Sequence, residues 1–175
     1  MKYTISHIAR ITDAEALVKN DDSIEQLLLD SRKISSPPTS LFFALKGPRR
    51  DGHQFIPELY KKGVRNFIGS EKINLSPYPD ANFLRVDDSL QALQQLAAYH
   101  RSQFNTLPTG RQVPVIGITG SNGKTIVKEW LYQLLHEDYN IIRSPKSYNS
   151  QTGVPLSVWQ MNEQHTLGIF EAGIS

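Results

Sequence analysis

Val113-Pro114-Val115-Ile116-Gly117-Ile118-Thr119 is a short apolar run, and Gly120-Ser121-Asn122-Gly123-Lys124-Thr125 follows it without a gap. The run reads as a strand. Ile126, Val127, Trp130, Leu131, Leu134 and Leu135 then recur at helical spacing, so a helix should open directly after the glycines with these six marking one face. Strand, glycine loop and helix in that order form the setting in which backbone N–H groups turn inward around phosphate oxygens while the positive end of the new helix points at the same place. Thr119, Gly120, Ser121, Asn122, Gly123, Lys124 and Thr125 are therefore the candidate nucleotide-binding residues, and the chain reads as the front part of an ATP-dependent enzyme. Lys124 adds a full charge for the β- and γ-phosphates, and Thr125 adds a hydroxyl for Mg²⁺. The general spacing G-x-x-x-x-G-K-[ST] is not met, because Ile118 stands where the first glycine belongs. A surface turn that happens to contain Gly and Lys is the competing reading.

Downstream, Leu167-Gly168-Ile169-Phe170 reads as a second buried strand ending in Glu171. In a parallel sheet the carboxyl ends of strands gather beside the phosphate loop, so Glu171 is the expected partner of Thr125 as a metal ligand. The alternative is a strand-end acid facing solvent. Between the two lies Lys146-Ser147-Tyr148-Asn149-Ser150-Gln151-Thr152-Gly153-Val154-Pro155, which by composition is a loop closed by Gly and by a Pro suited to the first turn of a helix.

Upstream, strand-like and helix-like stretches alternate, the pattern of an α/β protein. Residues 27–29, 41–45, 64–68 and 82–86 read as strands. Phe55, Leu59 and Tyr60 recur at helical spacing before Gly63, a helix stop. Asp88 and Gln91 resemble a capping box opening a helix from Ser89 to about Arg101, with Leu90, Leu93, Leu96, Ala97 and His100 on one face. Asn105 to Arg111 breaks the periodicity with a Pro and a Gly. The expected organisation is a first domain over 1–105, a linker over 106–111, and a second domain from 112 to 175. Trp130 and Trp159 are expected in a core or an interface.

Composition bounds the class. The 175 residues carry a net charge of +2 with scattered Lys and Arg, which gives no nucleic-acid footprint, and the short basic groups Lys46-Arg49-Arg50 and Arg143-Lys146 are too small to supply one. Zero cysteines removes disulfides, thiol nucleophiles and Cys-based zinc sites. The N-terminus has no signal-peptide pattern and no apolar run approaches the ~20 residues of a membrane span, so a cytoplasmic protein without membrane partners is expected.

At this level of detail the residues resemble the Mur ligases, the ATP-dependent amide-forming enzymes of peptidoglycan precursor synthesis. Residues 117–125 are similar to that family's own variant of the phosphate loop, which accounts for the departure at Ile118. Val127-Lys128-Glu129, Tyr148-Asn149 and Gly153-Val154-Pro155 resemble the branch that adds D-alanyl-D-alanine to UDP-N-acetylmuramoyl-tripeptide. Asp30-Ser31-Arg32, Leu41 to Gly47 and Asp51-Gly52-His53-Gln54-Phe55 resemble the domain that holds the UDP-sugar end of the substrate. Three positions depart from the usual pattern: Ile126 where a second Thr is common, Ser150 where a second Asn is common, and Ala172 where Met often follows the Glu.

The resemblance implies an α/β substrate-binding domain followed by the beginning of a P-loop mononucleotide-binding α/β domain. It also implies attack of a substrate carboxylate on the γ-phosphate of ATP, displacement of phosphate from the acyl phosphate by the amine of D-alanyl-D-alanine, and Mg²⁺ as the metal. Lys124 and Asn149 then stand in catalytic positions, and Ser31, Arg32, Lys46 and His53 become candidates for the uridine diphosphate end. Without the resemblance, Asp30 and Arg32 read as an ordinary turn and His53 as a loop residue. Residues 112–175 are too few for the family's central domain, so a truncated chain is expected, one that exposes apolar surface and catalyses nothing alone. Some bacterial members of the branch are fused to an alanine racemase, about which these residues say nothing. The competing functions are the sister ligase that adds the third residue to the UDP-N-acetylmuramoyl-dipeptide, a general phosphate-loop NTPase or kinase, and a non-catalytic nucleotide-sugar-binding module.

Overall fold

The computed structural model describes residues 2–48, 50–104, 110 and 112–173. In chain order the elements are β1 (Tyr3–Thr4), α1 (Ile5–Ile11), β2 (Glu15–Leu17), β3 (Ser23–Ile24), β4 (Gln26–Leu28), β5 (Ser40–Ala44), α2 (Ile56–Lys61), β6 (Asn66–Gly69), β7 (Asn82–Arg85) and α3 (Ser89–Ser102). They continue with β8 (Val115–Ile118), α4 (Lys124–Leu135), β9 (Ile141–Arg143), α5 (Gly153–Val158) and β10 (Leu167–Glu171). By packing, the chain divides into residues 2–95 and 96–173. The expected linker over 106–111 lies, apart from Gly110, outside the described residues, as does Arg49.

The first unit is built on a five-stranded sheet of order β2-β7-β6-β5-β4. All its neighbours run parallel except β2 against β7. Leu41, Phe42, Phe43 and Ala44 of β5 are buried on both faces, which is why this strand reads as an unbroken apolar run. Across β5, β6 and β7 on one face Phe42 meets Phe67 edge-on and Phe67 stacks on Phe83, and Ile56 and Leu59 of α2 join them. Phe55, expected in the helix, instead closes a 3-10 turn over Gly52–Phe55 that leads into α2. Asp88 accepts from the Leu90 and Gln91 amides and so caps α3, as the sequence pattern requires.

Two buried amides lock the β6–β7 end of this sheet. The Asn82 amide nitrogen donates to the Asn66 side-chain oxygen at 2.6 Å and to the Asn20 carbonyl at 2.8 Å, and its oxygen accepts from the Lys19 and Asn20 amides. Neither Asn has any exposed surface. Asn82→Ala leaves the buried Asn66 side-chain oxygen without this donor and removes the three bonds to the more exposed Lys19 and Asn20 backbone, and each unsatisfied buried group costs about 1–3 kcal/mol. Chemical denaturation should therefore register a loss of about 3 kcal/mol or more; a loss below about 0.5 kcal/mol would show that the network carries no stability.

The second unit holds a three-stranded parallel sheet of order β8-β10-β9. Helix α4 packs on this sheet, and here the expectation of one apolar face is corrected. Its six apolar residues fall on two sides: Leu131 and Leu135 are half-buried, whereas Ile126, Val127, Trp130 and Leu134 are exposed, Trp130 at 63% and Leu134 at 74%. The stripe toward the sheet runs through Lys124, Lys128, Leu131 and Leu135, at i, i+4, i+7 and i+11, and it opens with two lysines that hydrophobic periodicity does not count. Trp130 therefore lies in no core among the described residues.

A small core forms from Phe104, Val113, Met161 and Phe170. Beside it His100, 2% exposed, donates from Nε2 to the Met161 carbonyl at 2.9 Å and packs against Phe104 and Trp159. Burial pushes its pKa down to about 4, with the Met161 bond acting weakly the other way. The unfolded chain thus binds a proton near pH 6.5 that the folded chain refuses until about pH 4. Stability is fully present above pH 6.5 and falls as pH drops toward 4, by on the order of 3 kcal/mol. Denaturant titrations from pH 7.5 to 4 should show this loss and show it reduced in His100→Gln; an identical slope in that variant would remove His100 as its source.

Candidate functional site

The parallel register determines what meets at the carboxyl edge of the second sheet. Glu171, the last residue of β10, sits opposite Ile118, the last residue of β8, and the Ala172 amide donates to the Ile118 carbonyl at 2.8 Å. The chain after Ile118 then turns through residues 119–123 into α4. Gly120 at φ +135° and Gly123 at φ +78° occupy backbone conformations that side-chain-bearing residues avoid. Ser121, Asn122, Gly123 and Thr125 are exposed, and Thr119 opens the loop at the surface. The loop is thus presented outward at the amino end of a 12-residue helix, where unpaired N–H groups and the helix dipole favour anions.

Lys124 folds back and donates to the Gly120 carbonyl within its own loop. Thr125 is joined to Glu171: its hydroxyl donates to Oε2 at 3.1 Å. The Glu171 side chain has no exposed surface, so the reading of a solvent-facing strand-end acid is excluded. A hydroxyl and a carboxylate side by side are hard oxygen donors, and they fit Mg²⁺, which takes one or two carboxylates and completes its shell with phosphate oxygens and water. No cluster of three or more His, Cys, Asp or Glu suited to a metal occurs among the described residues.

The segment 144–152, unremarkable as a sequence, is strapped to the same edge. Ser144 Oγ accepts from the Glu171 amide at 3.0 Å, and the Asn149 carbonyl accepts from the Gly173 amide at 2.7 Å. A Cβ on Gly173 would come within 2.8 Å of that carbonyl, so Gly173 allows the close approach. Asn149 is half-buried, held to Gly173 two residues past Glu171, and α5 begins at Gly153 with Pro155 in its first turn. Lys128 also reaches the site: its side chain is fully buried, with Nζ 2.9 Å from Glu171 Oε1. The sequence reading noticed Lys128 only as part of a family pattern; its signal was its place one turn after Lys124 on the sheet-facing stripe.

In the first unit, Ser31 and Arg32 line a cleft of about 350 Å³ whose walls include Phe43, Phe55 and Arg50. The Arg32 guanidinium is bound back to Asp30 through Nε at 2.8 Å and Nη2 at 2.7 Å, and the Arg32 amide also donates to Asp30. These bonds hold the Asp30 carboxyl far below the usual carboxylate range. The turn and the cleft wall are therefore one feature. Arg50, which the sequence reading placed only in a short basic group, brings a second guanidinium to the cleft.

The other two candidates sit elsewhere. Lys46 pairs with Glu71 at 2.5 Å and does not line the cleft. His53 has both ring nitrogens engaged within the protein: Nδ1 donates to Asp51 at 2.5 Å, while Nε2 accepts from the Ser70 and Glu71 amides at 3.1 and 3.2 Å. That pattern fixes the neutral Nδ1–H form, and the ring braces the end of β6 with no ring donor left for a ligand. The Asp51 carboxyl, which accepts from the His53 amide and ring, is held below its ordinary value.

An outward glycine loop at a helix amino end, a buried strand-end carboxylate and a separate α/β unit define a two-unit α/β protein with an anion-favouring loop, and comparison with known proteins gives the family. The Mur ligase family catalytic-domain model matches residues 23–101, and the Mur ligase middle-domain model matches residues 118–175. The chain belongs to the Mur ligase family. Its resemblance within the family is to MurF-type members. It is 35% identical over 152 residues to the UDP-N-acetylmuramoyl-tripeptide–D-alanyl-D-alanine ligase of Bacillus subtilis and 34% identical over 174 residues to that of Treponema pallidum, covering 87% and 95% of this chain. The matches take in 31% and 35% of those proteins, so the chain spans about a third of the length of the curated relatives it matches.

Solved structures agree. MurF from Acinetobacter baumannii superposes with a TM-score of 0.84 at 29% identity over 99% of this chain and 36% of its own. The MurF ligase from Thermotoga maritima, solved in complex with ADP, gives 0.69 at 30% identity over 85% of this chain and 32% of its own. Among the described residues no helix is long and apolar enough to cross a membrane.

Proposed function

We propose that the chain contributes the nucleotide-gripping and uridine-sugar-gripping parts of an ATP-dependent ligase that adds D-alanyl-D-alanine to UDP-N-acetylmuramoyl-tripeptide. The observation that carries this reading is the junction at which the exposed 119–125 loop, Thr125 and Glu171 meet on one sheet edge. The likeness to MurF-type ligases supports the choice of reaction over that of the sister ligase that adds the third residue.

In this reading the loop amides and Lys124 take the β- and γ-phosphates, and Lys124 gives up the Gly120 carbonyl to do so. The tripeptide's terminal carboxylate attacks the γ-phosphorus, its bond to the β-γ bridging oxygen breaks, and ADP leaves. The amine of D-alanyl-D-alanine then attacks the acyl carbon, phosphate leaves, and the amine proton is lost as the amide forms. Such a reaction is accelerated chiefly by positioning and charge neutralisation. Mg²⁺, when bound, supplies positive charge to the phosphates. The Thr125 hydroxyl and Glu171 Oε2 would hold the cation, and Asn149 would stand beside the transferred group. The first unit holds the uridine diphosphate end in the Ser31, Arg32 and Arg50 cleft.

A chimera in which these 175 residues replace the matching segment of the Bacillus subtilis relative tests the activity. It should form product from UDP-N-acetylmuramoyl-tripeptide and D-alanyl-D-alanine with one ADP released per amide. ADP release that depends on neither substrate would favour a general NTPase instead. For the sugar end, calorimetry with UDP-N-acetylmuramoyl-tripeptide should show affinity weakened by about tenfold in Ser31→Ala and in Arg50→Ala. Lys46→Ala should stay within about twofold, since Lys46 lies outside the cleft; the reverse ranking would place the diphosphate beside Lys46.

A further inference from the structure

We infer that Lys128 is a positioning residue that turns Glu171 so that only Oε2 is offered beside Thr125, and that also anchors the loop carrying Asn149. The inference rests on the nucleotide and cation reading given above. Lysine is almost never fully buried unless paired, yet Lys128 has no exposed surface. Its ammonium has three protons and four oxygens around it: the Ser144 carbonyl at 2.9 Å, the Lys146 carbonyl, Glu171 Oε1 at 2.9 Å and, farther off, Glu129 Oε1 at 3.4 Å. The contact with Oε1 is an ion pair without the alignment of a hydrogen bond, and no other group takes that oxygen.

The consequence is a division of labour within one carboxylate. Oε1 is held by the ammonium, and Oε2 is held by the Thr125 hydroxyl at 3.1 Å. A carboxylate gripped in this way cannot rotate to offer both oxygens to one cation without giving up the contact with this buried ammonium, whose next carboxylate, that of Glu129, lies farther away at 3.4 Å. Both hydrogen bonds of the Lys128 ammonium fall on carbonyls 144 and 146, so the same side chain fixes the start of the segment that delivers Asn149. Stability alone is a weak reason for the arrangement, because apolar replacements of buried ion pairs are often neutral or stabilising. Control of the ligand's orientation is a function that an apolar pair cannot supply.

The test separates nucleotide binding from its dependence on the cation. Dissociation constants for ADP are measured with EDTA and with Mn²⁺ for the parent chain, Lys128→Met and Lys128→Gln. Affinity for metal-free ADP should stay within about twofold of the parent, while the strengthening caused by Mn²⁺ should fall by about tenfold or more, the scale on which residues behind a metal ligand act. An unchanged Mn²⁺ increment, or an equal loss with and without the cation, overturns the proposal and leaves the nucleotide reading standing. Absence of ADP binding in the parent overturns that reading and the proposal with it. If neither variant folds, the structure of the parent with Mn²⁺ and ADP decides. The metal on Oε2 alone, with Lys128 Nζ still on Oε1, supports the inference; bidentate ligation with Lys128 displaced overturns it.

Discussion

Lys124→Ala is expected to leave the fold intact and to weaken nucleotide binding by at least about a hundredfold, the effect of losing charge-assisted hydrogen bonds to phosphate oxygens. The fold should survive because the only hydrogen bond Lys124 makes among the described residues is to the Gly120 carbonyl of its own exposed loop, which water can replace. Turnover in a chimera with the remaining ligase domains should be abolished, since the same ammonium is assigned to the phosphoryl group in flight. Equilibrium binding of ADP, with circular dichroism as the check on folding, measures the effect. Parent-like affinity in a folded Lys124→Ala protein would remove Lys124 from the site.

Glu171→Ala should have the opposite character, with a large loss of stability as well as of cation dependence. It takes from the fully buried Lys128 ammonium its nearer carboxylate and leaves only Glu129 Oε1 at 3.4 Å, a carboxylate partly exposed and shared with Arg143, and breaking a buried pair from one side costs about 3–5 kcal/mol. The melting temperature should fall by more than about 10 °C. Glu171→Ala combined with Lys128→Met should recover most of that loss, because the second change removes the buried charge that has lost its nearer partner. Thermal denaturation of the four proteins in the cycle checks this. Additive losses would mean that the two side chains do not act as a pair.

The contrast between these predictions reflects what the sequence exposes and what it hides. The strand, glycine loop and helix were readable because each has a local chemical reason: Val115 to Ile118 is apolar, Gly120 and Gly123 take positive φ, and Lys124 opens a helical period. Glu171 was readable because strand ends in a parallel sheet converge, and its pairing with Ile118 is that convergence. Lys128 was hidden because a lysine on a helix normally faces water, and its burial is set by residues 144, 146 and 171, which no local window contains. For the same reason hydrophobic periodicity assigned α4 a single apolar face, when the side toward the sheet begins with charge.

The first unit shows the same limit. Ser31 and Arg32 were recognised from a short pattern and do line a cleft, yet Arg50 joins them only through the return of the chain after β5. His53 carried the appearance of a ligand; its contacts with Asp51, Ser70 and Glu71 make it a brace. Asn66 and Asn82 read only as strand positions, because the partners that give their side chains a role lie more than ten residues away.

The central claim is that main-chain amides of residues 119–125 enclose the phosphates of a nucleotide. Titration of the ¹⁵N-labelled 175-residue chain with ADP and Mg²⁺, followed by two-dimensional amide spectra, tests it directly even at weak affinity. The largest shifts should fall on Gly120, Asn122, Gly123, Lys124 and Thr125 and should vanish in Lys124→Ala. Saturating ADP that leaves these amides unmoved, or that moves a different set in both proteins, would contradict the account.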